Sequence, residues 1–165
     1  MGTALLRTPN LELVPETRDG VAARIATMTP FEKAQLSAEW LARFEASATM
    51  DPWIHGFSVL HRGSGALIGT GGFKGPPAGG IVEIAYGVVA NERGKGYATE
   101  ITGALVAYAF ASNEVELVRA HTLPDASASQ RVLLKCGFSH VGETLDPDDG
   151  LVWRFERRRA HRGLA

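Results

Sequence analysis

A chain of 165 residues, 45% of them hydrophobic, is sized for one globular domain around a single sizeable core and supplies no reason for a second. Its 17 Lys and Arg against 18 Asp and Glu leave a formal charge of −1, which excludes a global field that recruits nucleic acid or an anionic membrane surface. Any anion recognition has to be local. The opening "MGTALLRTPNLELVP" lacks the apolar core of a signal peptide and the long run of a membrane span, so a cytoplasmic protein without a membrane partner is expected. One cysteine, Cys136, excludes an internal disulfide and a cysteine-built zinc site. The histidines His55, His61, His121, His140 and His161 form no H-x-x-x-H pair, so no metal is expected.

Residues 5–14, "LLRTPNLELV", read as an edge strand, with Pro9 tolerable only at an edge or a strand start. From Asp19 to about Ala48 the pattern is helical: Asp19 caps a short helix and Thr29-Pro30 starts a second. Residues 53–73 read as two strands joined by the turn Arg62-Gly63-Ser64-Gly65, and "IVEIAYGVV", residues 81–89, as a central strand after a breaker-rich loop. Ile101, Ala104, Leu105, Tyr108 and Ala109 share one face of a helix over 97–112. A strand over 115–123 leads to Asp125, an N-cap for a helix through Cys136 that Gly137 ends. "FSHVGETL" and "LVWRFERR" flank the turn residues of "DPDDG" and close the chain as a hairpin, followed by a basic tail, 157–165, read as a solvated end.

The stretch "NERGKGYATE", residues 91–100, follows a strand and opens a helix, so unpaired N–H groups and the positive helix end converge where Gly94 and Gly96 admit close approach. That is an anion site, with phosphate as the natural occupant and Arg93 and Lys95 adding charge. Lys95 precedes Gly96, so a P-loop fails; Thr99 and the missing downstream acidic residue make a dinucleotide fingerprint poor. A turn that needs glycine for geometry alone is the competing reading of these residues.

Arg93-Gly94-Lys95-Gly96-Tyr97-Ala98 matches the R/Q-x-x-G-x-G/A signature, and in this the chain resembles the GNAT acetyltransferases. "VEIAYGVVANERGKGYATE" looks like that family's fourth strand and third helix, "ASQRVLLKCGF" like its fourth helix and turn, and the likeness spans residues 8 to 156. "GFKGPP" and "DPDDGLVWRFE" are further similar to the ribosomal-protein N-terminal acetyltransferase branch. The resemblance implies an α+β fold, three-layer α/β/α, with a mixed, splayed, mostly antiparallel sheet of about seven strands and four helices. It implies acetyl-CoA as cosubstrate, an amine acceptor, direct N-acetylation without a covalent acetyl-enzyme, and homodimers among many relatives. Backbone groups of Val88 and Val89 are implied at the thioester and pantetheine arm, and Arg93, Gly94, Lys95, Gly96, Tyr97, Ala98 and Thr99 at the pyrophosphate.

Two residues are candidates for proton transfer. Glu83 shares its strand face with Ile81, Ala85 and Gly87, whose small members leave room for a ligand, and the family places a base there; a carboxylate at a solvated face or paired with an arginine is the alternative. Ser129 interrupts the apolar face of Val132, Leu133 and Cys136; the resemblance implies an acid for the leaving thiolate, while bonding to the i−4 carbonyl is the alternative. Tyr86 and Tyr97 rank lower, Cys136 reads as a small buried hydrophobe, and Trp40, Trp53 and Phe57 read as acceptor groove or core. Pro124-Asp125-Ala126-Ser127-Ala128-Ser129 departs from the family's Pro-Glu-Asn-x-Ala-Ser: Ala126 removes an asparagine contact. A catalytically weakened coenzyme A-binding regulatory module is therefore the second reading.

Overall fold

Alternation builds the sheet. Leu11 and Leu13, and Phe57 and Val59 on the next strand, are fully buried while their neighbours along the chain are less so. The computed structural model describes residues 5–147 and 149–160. Among them lie strands β1 (Leu6–Arg7), β2 (Leu11–Pro15), β3 (Phe57–His61), β4 (Leu67–Phe73), β5 (Ile81–Val88), β6 (Leu117–Thr122), β7 (Ser139–Asp146) and β8 (Gly150–Arg158). The helices are α1 (Arg18–Ala26), α2 (Pro30–Ala34), α3 (Ala38–Glu45), α4 (Pro52–His55), α5 (Tyr97–Ala111) and α6 (Ser127–Lys135). One mixed sheet runs β1-β2-β3-β4-β5-β6-β8-β7. Every pairing is antiparallel except β5 with β6.

The α+β architecture is the expected one, with eight strands in place of about seven and six helices in place of four among the described residues. The differences have local causes. The first predicted strand folds back at Thr8, whose hydroxyl accepts from Leu11 N–H (3.0 Å), so Leu6 pairs with Leu13. Thr17, rather than Asp19, caps α1 by accepting from Gly20 N–H (3.0 Å). The second helix starts at Thr29-Pro30 in a capping box with Glu32, but Ser37 caps a new helix and splits it. Asp51-Pro52 carries the same cap-then-proline signature and makes residues 52–55 into α4, although 53–55 read from the sequence as the start of a strand. Ala126, not Asp125, occupies the N-cap of α6, and no side chain caps that end.

The basic tail is also corrected at its root. β8 continues through Arg158; Arg157 Nη1 donates to the Cys136 carbonyl (2.7 Å) at the end of α6, and Arg159 Nη2 to those of Ser112 (2.6 Å) and Val115 (2.7 Å) after α5. These guanidinium groups satisfy carbonyls that two helix ends leave open. Residues 161–165 lie outside the described residues.

α5 packs its buried Ile101, Leu105 and Ala109 on one face of the sheet. Gly71 of β4 faces Ile101 and Leu105, whereas Gly72 faces Gly56 at the end of α4, so the helices of the first third cover the opposite face. That is the third layer. Glu100 in the first turn of α5 accepts from Asn10 N–H (3.0 Å) and Asn10 Nδ2 (2.8 Å), anchoring this helix end to the β1–β2 turn.

His55, only 5% exposed, sits under this first-third layer. Its Nδ1 accepts from Asp51 N–H (3.0 Å), which leaves the proton on Nε2 to be donated to Ser47 Oγ (2.9 Å). Burial lowers its pKa below the usual value, against the opposing charge of Asp51. The folded state thus holds the neutral ring, and below pH of about 6.5 the unfolded chain binds a proton that the native site refuses. Stability from His55 is present above that pH and lost below it, with a slope of up to about 1.4 kcal/mol per pH unit. Melting curves from pH 7.5 to 5 are expected to fall more steeply for the native protein than for His55→Gln; parallel curves would remove His55 from the acid response.

Candidate active site

The parallel pairing of β5 with β6 covers only Ile81↔Leu117, Val82↔Val118 and Glu83↔Arg119. Beyond Glu83 the two strands part, while β4 stays paired with β5 to Val88. Val89 N–H donates to Ile68 C=O (2.8 Å) and Lys74 N–H to Glu83 C=O (2.9 Å), which sets the alternation of the ladder. The backbone groups of Ile84, Tyr86 and Val88 therefore point away from β4 into the opened gap. The Val88 carbonyl is taken by Arg93 Nε (3.1 Å). Of the two amides expected at the thioester, that of Val88 faces the gap and that of Val89 is already committed to the sheet.

A short 3-10 turn, Ala90–Glu92, carries the chain from β5 to the glycine turn. Gly94 (φ 78°) and Gly96 (φ 84°) both adopt the left-handed conformation, and Gly96 is the N-cap of α5 with no side-chain cap. The amides of Tyr97, Ala98 and Thr99 have no carbonyl one turn earlier to bond, so this 15-residue helix presents N–H groups and its positive end together. They face a cavity of about 540 Å³ between the glycine turn and α6.

Val88, Arg93, Gly94, Gly96, Tyr97, Ala98 and Thr99 line this cavity, as does Ser129 from α6. Lys95 does not: its Nζ bonds Glu92 Oε2 (2.9 Å) on the surface. Two cations that sequence reasoning passed over, Arg131 and Lys135, line it from α6. Their i, i+4 spacing on the helix that carries Ser129 was the available signal. With Arg93 they outnumber the one carboxylate of the lining, Glu92, so the cleft suits a multiply charged anion.

Tyr86, ranked below Glu83 and Ser129 from the sequence, stands where two cavities meet. It and Gly87 belong both to this cleft and to one of about 660 Å³ on the far face of β4 and β5. Burial raises the Tyr86 phenol pKa, with the hydroxyls of Thr102 and Ser129 acting in the opposite direction. It is held protonated and can donate. Trp40 and Phe57 line the far cavity, whereas Trp53 packs edge-on against Phe73 (4.7 Å) and Tyr108 (5.1 Å) in the core.

Glu83 does not line the cleft shared by Ser129 and the glycine turn. Its Oε2 accepts from Lys74 Nζ (2.9 Å) and His121 Nδ1 (2.8 Å), and Arg154 Nε donates to His121 Nε2 (3.1 Å). A donor at Nε2 assigns the imidazole proton to Nδ1, so His121 is a neutral donor to the carboxylate. Burial opposes the Lys74 ammonium, yet the hydrogen bond and charge of Glu83, with Asp146 and Asp149 beyond, prevail and raise its pKa. Glu83 precedes Ala85 and Gly87 on the same strand face; the latter two line the far cavity and Glu83 lies beyond its lining.

Cys136, half-buried, donates its thiol toward the Thr99 carbonyl (3.6 Å) at the start of α5, and burial raises its pKa. A suppressed thiolate is a poor nucleophile. Among the described residues no group of three or more His, Cys, Asp and Glu could hold a metal ion, and no helix is long and apolar enough to cross a membrane.

A sheet opened beside a glycine-fed helix end is the fold of acetyltransferases of known structure. The chain superposes on a GNAT-family acetyltransferase from Bacillus anthracis with a TM-score of 0.66 at 17% identity, covering 93% of this chain and 98% of that one. Against RimL, the ribosomal L7/L12 alpha-N-protein acetyltransferase in complex with coenzyme A, the TM-score is 0.67 at 16% identity, over 93% and 97% of the two chains. The aminoglycoside acetyltransferase AAC(6')-Ib, in complex with coenzyme A, gives 0.61 at 20% identity, over 90% and 95%.

Residues 5–139 match the family described as Acetyltransferase (GNAT) domain, and the chain belongs to that family. It is 28% identical over 109 residues to the uncharacterized N-acetyltransferase YjdG of Bacillus subtilis, a match covering 66% of this chain and 62% of that protein's length. The uncharacterized N-acetyltransferase p20 of Bacillus licheniformis is 25% identical over 125 residues, 75% of this chain and 70% of its own.

Proposed function

We propose that this protein is an acetyl-CoA-dependent N-acetyltransferase that moves the acetyl group directly to a primary amine of a protein N-terminus or a small molecule. The observation that carries the reading is the meeting of two cavities at Tyr86 and Gly87, one lined by the glycine turn and cations, the other open on the opposite face. In this reading the pyrophosphate sits on the amides of Tyr97, Ala98 and Thr99, with Arg93, Arg131 and Lys135 supplying charge. The pantetheine arm pairs with β5 through the gap-facing groups of Tyr86 and Val88. Its thioester then reaches the junction, where the acceptor amine enters from the far side.

Attack forms the carbon–nitrogen bond, the tetrahedral oxyanion collapses, and the carbon–sulfur bond breaks with its electron pair leaving on sulfur. Ser129, with the protonated Tyr86 beside it, supplies the proton to the thiolate. Glu83 accepts the proton that the amine releases, directly or through water, once Lys74 gives way; the neutral His121 keeps the carboxylate oriented. Glu83→Gln is expected to lower kcat by one to two orders of magnitude at neutral pH, in the range usual for a lost general base, and to leave coenzyme A affinity unchanged. An unchanged kcat would remove the base role.

Titration calorimetry with acetyl-CoA, ATP and NAD, followed by thiol release with an amine panel, tests the whole reading. Selective binding of acetyl-CoA and amine-dependent thiol release are expected; binding of ATP or NAD in its place would overturn it. Because transfer is direct, Cys136→Ala is expected to keep turnover within about twofold, and a large loss would demand a covalent intermediate. Ala126 at the uncapped start of α6 favours a second reading, a regulatory module that binds coenzyme A without turnover. Selective binding with no acetylation of any amine or peptide would select it.

A further inference from the structure

The far cavity has a largely apolar wall, and the charged groups that line it are balanced. Leu36, Trp40, Ile54 and Phe57 wall it, and Thr70, Gly72, Ala85 and Gly87 line the sheet side. Its one carboxylate, Glu16, is neutralised by Arg24 through two hydrogen bonds (2.5 and 2.8 Å) and receives the Ser58 hydroxyl as well (2.9 Å). Its one histidine, His55, is held neutral by burial. Beyond the cavity's end, Glu83, Asp146 and Asp149 act on the Lys74 ammonium. Trp40 is fixed for contact: its Nε1 donates to the Ile54 carbonyl (3.2 Å) and its ring stacks on Phe44 (5.3 Å, 13°).

Resting on the acetyl-transfer reading, we infer that the acceptor is a single primary amine on an apolar or aromatic body that lies against Trp40, and not a polycation. An aromatic platform held by one face and by its Nε1 edge gains contact area with little loss of conformational freedom. A polyamine or aminoglycoside would instead carry further ammonium groups into a cavity that offers them no unpaired carboxylate, where their desolvation goes uncompensated.

The test measures coenzyme A release with saturating acetyl-CoA and, as acceptors, phenethylamine, tryptamine, a tripeptide beginning with Phe, spermidine and kanamycin. Calorimetric titration of acetyl-CoA runs in parallel. At least one of the first three is expected to exceed both polycations in kcat/KM by tenfold or more, and whether the peptide or the free amines lead tells a chain terminus from a small molecule. Trp40→Ala is expected to raise KM for the apolar amines tenfold while the acetyl-CoA Kd stays within twofold; Trp40→Phe, which keeps the stacked ring, recovers most of the loss and guards against misfolding. Preference for spermidine or kanamycin, or an unchanged KM in Trp40→Ala, overturns this inference and leaves the acetyl-transfer reading standing. Acetyl-CoA binding with no amine acetylated overturns both.

Discussion

Gly69→Ala is expected to destabilise the protein by on the order of 3 kcal/mol or more, at the upper end of what overpacking usually costs. The new Cβ would lie 2.0 Å from the Gly87 carbonyl oxygen and 3.1 Å from the Val88 Cα, all of it backbone at the Gly69↔Val88 end of the β4–β5 ladder. Neither strand can yield by a side-chain rotation. Relief requires β5 to shift at its last residues, which border the glycine-turn cleft and, at Tyr86 and Gly87, the far cavity as well. Urea unfolding is therefore expected to show a large drop in midpoint, accompanied by weaker coenzyme A binding in whatever folded fraction survives. Gly71→Ala is the internal comparison: its Cβ would meet Ile101 Cγ2 at 2.9 Å and Leu105 Cδ1 at 3.3 Å, side-chain ends that can give. Equal losses for the two variants would show that the backbone contact at Gly69 is not what limits stability.

Gly96→Val is expected to lower coenzyme A affinity by about a hundredfold, roughly 2.7 kcal/mol, with a smaller loss of stability. At φ 84° a β-branched residue is strained by about 1–2 kcal/mol or more. Nothing in the free protein lies within 4 Å of the added Cβ, so the native turn is opposed by conformation and not by a clash. The chain escapes by re-forming the turn, and that rotates the amides of Tyr97 and Ala98 out of alignment. Calorimetry on the folded variant measures the loss directly. An affinity within threefold of the native protein would separate the glycine turn from cofactor binding and leave its conformation as a purely structural need.

Much of the glycine-turn cleft was legible in sequence because it depends on contiguous residues. Arg93 to Thr99 carry the glycines, the helix start and the charge within one local unit, and the cavity forms on that unit. Lys95 and Val89 were less legible for a physical reason. Whether a surface ammonium turns to a ligand or to Glu92, and whether an amide faces the gap or Ile68, depends on side-chain geometry and strand register that residue order does not encode. Arg131 and Lys135 needed the docking of α6 against α5 before they faced the glycine turn at all. Glu83 was legible as a carboxylate on a face with small neighbours, but its pairing with Lys74 and His121 joins three strand regions that come together only in the sheet.

Residue order by itself determined the family, the alternation of β2, β3 and β5, the helical spacing of the core-facing residues of α5 and the glycine turn, since each follows from periodicity or from φ preferences acting over a few residues. It also carried the capping signals that split the second helix and made α4, through the cap residues Ser37 and Asp51. Tertiary structure alone decided the width of the gap between β5 and β6, the meeting of two cavities at Tyr86, and the neutralised, largely apolar character of the far cavity. Those properties arise where residues far apart in the chain, such as Glu16 with Ser58 or His121 with Arg154, are brought within hydrogen-bond distance by the packing of a common core.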